Sequence, residues 1–396
     1  MGMRATSPRG ARRGASRMTS LSLLVAVSAA YEVPARLHSP LAPHRQPRAP
    51  PPLCAVSDEV AAARAGFPMR PGSLVALVTP MLPGGEIDVE ALRGLLRWHA
   101  EAGTDGIVAL GTTGEASTLN MEERAIVLQT CREEIVGRVP LMVGTGTIDP
   151  RGVIAMNEQA LEYGADSCLV VTPYYTKPTQ RGLTEFFTYV ADATPKLPML
   201  LYNVPGRTAV DLRPDTVAEL AKHPSIFGIK EATGELGRVD MLRELIGPDF
   251  MLLSGEDSNA NEFTLRGGDG VISYARQGPL THPHAPRVPA RGADRTGRLS
   301  RPLRRVTSNV APAQQHLVFE AALKGDAEAV SKLNAPLKLL HQRLFLQANP
   351  IPAKWALSAM GRMQSAQRLP LTELDPELRP PLLEAMVEAG LVPKAP

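Results

Sequence analysis

The chain has 396 residues, 44% of them apolar, which is enough for one large α/β barrel or two ordinary domains. Its formal charge of +3 is unevenly placed, because residues 1–57 hold eight Arg and one acid and residues 274–305 hold another eight Arg and one acid. The remainder is strongly acidic, which excludes the basic face that a nucleic-acid binder needs. Cys54, Cys131 and Cys168 are too scattered for a disulfide framework or a thiolate metal cage, and no apolar run approaches the roughly 18 residues of a bilayer span.

The N-terminal segment is Arg-, Ser- and Pro-rich and nearly free of acids, with one apolar run, LSLLVAVSAA, at residues 21–30. A basic start, a short apolar core and small residues before Tyr31 describe a targeting signal, and the acid-poor stretch that follows describes a transit peptide. Residues 1–68 are therefore expected to be a leader and not a domain. Two-part leaders of this kind are similar to those that deliver proteins to plastids. A single organellar presequence is the alternative, with a mitochondrial or cytosolic destination.

From Gly72 onward, short β-rich runs alternate with amphipathic segments. The runs are SLVALVTP, GIVALGTT, LMVGTGT, CLVVTPYY, MLLYNVP, FGIKEAT, MLLSGED and GVIS, eight in all. Between the first two lies DVEALRGLLRWHAEAG, with Leu92, Leu95, Leu96 and His99 at helical spacing, Asp88 as N-cap and Gly103 as stop. Asn120 followed by Glu123 has the form of a capping box. Eight βα units in about 250 residues predict a (β/α)8 TIM barrel over residues 69–325. A doubly wound sheet is disfavoured, since no GxGxxG opens a helix after a strand. Residues 326–396 read as a small C-terminal helical domain.

Residues 274–305 break the pattern, with five Pro, eight Arg and no apolar period. Without them GVIS would join VTSN as one strand, followed directly by a helix near Ala311. On that reading the segment interrupts the eighth strand, so it is expected to be an untranslated stretch absent from the working protein, and a chain that retains it is expected to be catalytically impaired; a disordered surface insertion is the alternative.

In a barrel the reactive groups gather at the C-terminal strand ends. In FGIKEAT, alternation puts Gly228, Lys230 and Ala232 on one face and Phe227, Ile229 and Glu231 on the other. Phe227 and Ile229 suit packing against helices, which turns Lys230 into the barrel. Burial there favours the neutral amine, the form that attacks a ketone. Tyr202, on the inward face of MLLYNVP, is placed to move protons beside such an amine. Thr112 and Thr113 in the GTTGE turn offer hydroxyl and N–H donors to a carboxylate, and Arg207 could clamp a second carboxylate bidentately. No His, Cys or acid cluster has metal-ligand spacing.

Taken together, GTTGEASTLN, VTPYYTKPTQ, YNVPGRT, GIKEATG and NPIPAKWA resemble the signatures of the dihydrodipicolinate synthase and N-acetylneuraminate lyase superfamily, the synthase branch most closely. The resemblance implies a homotetrameric lyase without metal or cofactor that condenses pyruvate with L-aspartate 4-semialdehyde. A sugar-acid aldolase of the same superfamily is the alternative. By the same resemblance Lys230 is the Schiff-base lysine, Tyr202 the proton shuttle and Thr113 its relay partner, with Tyr175 a second relay reaching from a neighbouring subunit. Thr112 and Thr113 would hold the pyruvate carboxylate and Arg207 that of the semialdehyde, while the Gly255 and Ile272 backbones line the pocket.

The departures lie where other members bind an inhibitory lysine. Met121, Arg124, Ile148 and Gly152 occupy those places, and only Tyr174 keeps the expected type. Losing one buried charged contact costs about 2–5 kcal/mol, so two losses leave little affinity. L-Lysine is expected to inhibit weakly or not at all, and an initial-rate assay showing micromolar inhibition would refute this.

Overall fold

The computed structural model describes residues 66–256, 259–273 and 306–392, together with Ser57, Val60, Ala62 and Arg64. Eight parallel strands close into a barrel in chain order. They are β1 (Gly72–Ala76), β2 (Gly106–Ala109), β3 (Leu141–Gly144), β4 (Ser167–Val171), β5 (Met199–Asn203), β6 (Ile226–Glu231), β7 (Met251–Ser254) and β8 (Gly270–Ser273). The barrel closes where β1 pairs with β8, from Gly72 opposite Gly270 to Val75 opposite Ser273. The two chains approach so closely there that a Cβ on Gly270 would lie 2.0 Å from the Gly72 carbonyl oxygen. Glycine is required at that seam by lack of space as well as by φ of +127°.

The surrounding helices follow the expected local chemistry. Helix α1 (Val89–Glu101) starts on Asp88, whose Oδ1 accepts from Ala91 N at 3.0 Å, and it buries Leu92, Leu95, Leu96 and His99. Burial, with Arg362 nearby, pulls the His99 imidazole down to about 3, so it is neutral and accepts or donates only to Thr104 Oγ1 at 2.9 Å. Helix α2 (Met121–Glu134) opens with both bonds of the Asn120–Glu123 capping box, at 2.8 and 3.0 Å. The other helices that follow strands include α3 (Pro150–Glu162) and α4 (Gln180–Ala193). Helix α5 is the single turn Pro205–Thr208, and α6 (Pro214–Leu220), α7 (Gly237–Ile246) and α8 (Ala260–Leu265) continue the ring. Helix α9 (Pro312–Leu323) is the last of the ring. Four more, α10 (Ala327–Asn334), α11 (Lys338–Arg343), α12 (Ile351–Ala359) and α13 (Arg379–Glu388), make the C-terminal helical part.

Alternation along the strands divides the apolar residues into two sets. Val75, Ile107, Leu141, Val143, Val170, Leu201, Ile229 and Leu252 face the helices, whereas Leu74, Val108, Met142, Leu169, Leu200, Leu253 and Ile272 fill the barrel. Phe227 departs from the expectation for β6. It belongs to the inner set, where its ring meets Phe67 edge-on at 5.5 Å. The cause is a register shift, in which Met199 pairs with Ile226 and the next residue, Leu200, pairs with Gly228. One residue of β6 is skipped, so Phe227 turns inward at the base while Lys230 still faces in above it.

Residues ahead of the first strand pack on the same base. Arg64, 6% exposed, donates to the carbonyls of Ala221 and Ile226, and Phe67 and Met69 pack on the inner set.

The expected strand through VTSN is also corrected. Thr307–Asn309 form a 3-10 turn and not a strand, and β8 is complete at Ser273, as long as β2, β3 and β7. Asn309 caps the neighbouring strand end, donating to Ala76 O at 2.9 Å and accepting from Val78 N at 3.1 Å. Ser308 N reaches Ser273 Oγ at 3.3 Å, so the flanks of residues 274–305 adjoin. That segment itself lies outside the described residues, but its point of departure is a strand end, where a loop breaks no ladder bond. Deleting residues 274–305 should leave the unfolding midpoint within a few degrees of the full chain, as read by circular dichroism; loss of cooperative unfolding would show the segment to be structural.

Candidate active site

Lys230 and Tyr202 are register partners on adjacent strands, each one residue from the C-terminal end of its strand. Both are buried, and the Lys230 Nζ lies 4.5 Å from the centroid of the Tyr202 ring. Space for the lysine comes from Gly255, where a Cβ would stand 3.1 Å from both Cγ and Cε of Lys230 and 2.7 Å from the Ala232 Cβ. Burial pushes the Tyr202 phenol well above its ordinary range, against the pull of Arg207, and so keeps the hydroxyl protonated. Ile272 is fully buried on β8 within the inner set.

A cavity of about 500 Å³ opens beside this pair. Tyr202, Arg207, Thr112, Tyr174 and Arg124 line it, and none of its lining residues is Asp or Glu. Burial lowers the Arg207 pKa, with the Tyr202 oxygen pulling the other way. A cleft with two guanidinium groups and no carboxylate among the described residues is built for anions. Among the described residues no cluster of three His, Cys, Asp or Glu is placed to hold a metal.

The expected site residues separate into those brought together and those not. Thr112 is exposed to the cavity, whereas Thr113 is fully buried outside its lining, with its Oγ1 accepting from Asn349 Nδ2 at 2.9 Å. Tyr175 is 86% exposed and holds φ of +69°, a left-handed conformation that a bulky residue seldom adopts. It is not among the residues that line the cavity of its own chain. Of the positions expected to form a degenerate regulatory cleft, Arg124 and Tyr174 line the cavity, while Met121, Ile148 and Gly152 stand outside it.

What reading the sequence missed is how the GTTGE turn is held. Leu110 precedes it and Glu115 ends it, and both are left-handed, with φ of 56° and 54°. Such a turn persists only when its surroundings over-determine it. Three contacts from the C-terminal helical part do so. Asn349 donates to Thr113, the Lys354 ammonium pairs with the Glu115 carboxylate with both side chains almost wholly buried, and Arg368 donates to Thr118 O at 2.7 Å and to Glu123. Arg368 N also reaches Glu115 Oε2 at 3.2 Å. Burial lowers the Lys354 pKa, with Glu115 opposing the shift.

The model of the dihydrodipicolinate synthetase family matches residues 69–277 and 303–389. The chain belongs to that family. The break in the match falls inside residues 274–305. A 4-hydroxy-tetrahydrodipicolinate synthase of Alcanivorax borkumensis is 46% identical over 321 residues, covering 81% of this chain and 98% of the relative. One from Pseudomonas aeruginosa is 43% identical over 324 residues, covering 82% and 100%. Among solved structures, the chloride-inhibited dihydrodipicolinate synthase of Acinetobacter baumannii complexed with pyruvate aligns with a TM-score of 0.72 at 41% identity, over 81% of this chain and 99% of that one. The synthase of Cyanidioschyzon merolae with lysine bound aligns at 0.71 and 32% identity, over 82% and 99%.

Within this family fold the Lys354–Glu115 pair is open to a direct test. Lys354→Met strands a buried carboxylate and should cost about 3–5 kcal/mol of stability while lowering kcat/KM. Adding Glu115→Gln should recover part of both losses. Chemical denaturation and initial rates on the two variants check this, and a double variant no better than the single one would disprove the account.

Proposed function

We propose that the protein condenses pyruvate with L-aspartate 4-semialdehyde to 4-hydroxy-tetrahydrodipicolinate in lysine biosynthesis, through a Schiff base on Lys230. The observation that carries this reading is the Lys230 amine set 4.5 Å from the Tyr202 ring, inside a closed barrel and beside a cavity lined by cations. The Lys230 amine adds to the pyruvate ketone, and the carbinolamine loses its oxygen as water when the Tyr202 phenol supplies a proton. Burial keeps that phenol protonated until it is needed. Loss of a methyl proton then gives the enamine, whose carbon attacks the aldehyde of the second substrate, and the aldehyde oxygen takes up a proton. The amine of the new chain attacks the imine carbon, closes the ring and releases Lys230.

Thr112 and Thr113 hold the pyruvate carboxylate through their shared turn, and Arg207 takes the carboxylate of the semialdehyde. Arg207 favours this reading over a sugar-acid aldolase, which needs hydroxyl partners at that place. The proton relay from Tyr202 was expected to pass to Thr113. The Thr113 hydroxyl is engaged by Asn349 and Thr113 is not among the lining residues, whereas Thr112 lines the cavity with Tyr202, so Thr112 is the better relay. Tyr175 is the second relay, supplied to a neighbouring subunit of a homotetramer; its exposure and left-handed backbone support a role outside its own chain. The Arg-rich, acid-poor leader supports delivery to a plastid.

Borohydride reduction in the presence of pyruvate should leave a stable adduct on Lys230, read by peptide mass, and Lys230→Ala should abolish both adduct and turnover. An adduct on another lysine, or faster turnover with a sugar-derived aldehyde, would overturn the assignment.

A further inference from the structure

The outer face of the wall that carries Lys230 and Tyr202 has no part in the chemistry above. The next register pair along the same two strands is Asn203 opposite Glu231, at 0% and 3% exposure, and alternation turns both away from the barrel interior. Asn203 uses its whole amide. Its Oδ1 accepts from Leu212 N at 3.0 Å, and its Nδ2 donates to Glu231 Oε2 at 3.1 Å and to Asp211 Oδ1 at 2.8 Å. Two of these bonds tie the start of the 203–212 loop to its end. Asp211 is also held by two helices: Arg238 of α7 donates from Nη2 to Asp211 Oδ2 at 2.6 Å, and Gln180 of α4 donates to the Asp211 carbonyl at 2.7 Å. Residues 204–210, between the tied ends, include a single charged side chain, Arg207, on the one-turn helix α5. Ala209 just after it is left-handed, with φ of 58°, a conformation that persists where its surroundings fix it.

We propose that Asn203, Asp211 and Arg238 are positioning residues that set the Arg207 guanidinium against the carboxylate of the second substrate, a role that rests on the reading of Arg207 given above. None of the three is among the residues that line the cavity, so they act through the loop and not by touching substrate. The Arg238 guanidinium faces Asp211, Glu231 and Glu235, the last two at 3.6 and 3.1 Å. Such a cluster adds little net stability over an apolar substitute, but a fully bonded one defines a single geometry. The geometry defined here is that of the loop ends, and a clamp displaced by about 1 Å can cost on the order of 100-fold in rate. Pyruvate is held by the GTTGE turn on the other side of the site and reacts with Lys230 without passing through this loop. A slack loop should therefore affect the semialdehyde and leave the first half of the reaction intact.

Asp211 is the residue to change, because it belongs to the loop and not to a strand and its side chain is 36% exposed. In Asp211→Ala the KM for L-aspartate 4-semialdehyde should rise about tenfold or more, while the KM for pyruvate and the yield of the borohydride-trapped Lys230 adduct stay within about twofold of the unaltered protein. Asp211→Asn keeps an acceptor for Asn203 and loses the charge facing Arg238, so it should fall between the two. In Arg207→Ala the clamp is already gone, and adding Asp211→Ala should lower kcat/KM for the semialdehyde by no more than about twofold further. A merely structural residue would act alike on both backgrounds. A rise in both KM values, a fall in kcat alone, an unchanged semialdehyde KM, or full additivity with Arg207→Ala would each overturn the proposal. Should Asp211→Ala not fold, Gln180→Ala, which releases the Asp211 carbonyl, is read in the same way: a selective rise in the semialdehyde KM supports the role and its absence refutes it. An unaltered protein that does not turn over the semialdehyde refutes the reaction and this role with it, whereas a working protein whose semialdehyde KM ignores the loop variants refutes this role alone.

Discussion

The site depends on one irregularity in one strand pair. Parallel strands keep inward residues opposite inward residues, and the shift between Met199 and Leu200 brings Tyr202 opposite Lys230. Without it Tyr202 would stand opposite Ile229, an outward residue that packs on the helices. The bulge costs little locally, because the skipped Phe227 finds a place at the base with Phe67 and Met69. The apolar packing at one end of the barrel and the lysine–tyrosine pair at the other are thus two results of a single register change.

Placing the amine is only half of the construction, since the turn that faces it is made of strained backbone. The GTTGE turn follows left-handed Leu110 and ends on left-handed Glu115, and each costs on the order of 1–3 kcal/mol relative to relaxed backbone. The C-terminal helical part supplies the opposing interactions, among them the buried Lys354–Glu115 pair and the Asn349–Thr113 hydrogen bond. A buried ion pair contributes little net stability over an apolar substitute, but removing one partner is expensive. Such a pair defines one geometry strongly while adding little to the total. This explains why helices remote in sequence belong to a barrel whose eight strands already close without them.

Charge completes the arrangement. The cavity presents Arg124 and Arg207 with no Asp or Glu among its lining residues, although the chain outside residues 1–57 and 274–305 is acidic overall. The local field therefore runs opposite to the net charge, as expected where both substrates carry carboxylates that must be drawn into a poorly solvated space. The two arginines differ in neighbourhood. Arg207 stands close enough to Tyr202 for each to affect the other's ionisation, while Arg124 is tied to the end of β3.

The sequence alone determined everything that depends on local periodicity and capping. Eight alternating runs became eight strands, Asp88 and the Asn120–Glu123 box began their helices, and alternation in FGIKEAT turned Lys230 inward. These are legible because a side chain's face follows from its neighbours within a few residues. Only the tertiary structure decided the rest. Phe227 turned inward because the register shift is a property of two strands together, and VTSN became a 3-10 turn because Asn309 bonds to the end of β1 more than 230 residues away. The Asn349–Thr113 and Lys354–Glu115 contacts likewise join positions more than 230 residues apart, and Arg124 looks from its spacing like any solvated helix arginine. Contacts across such separations leave no period in the chain, so burial, pairing and the charge of the cavity were fixed only when the barrel closed.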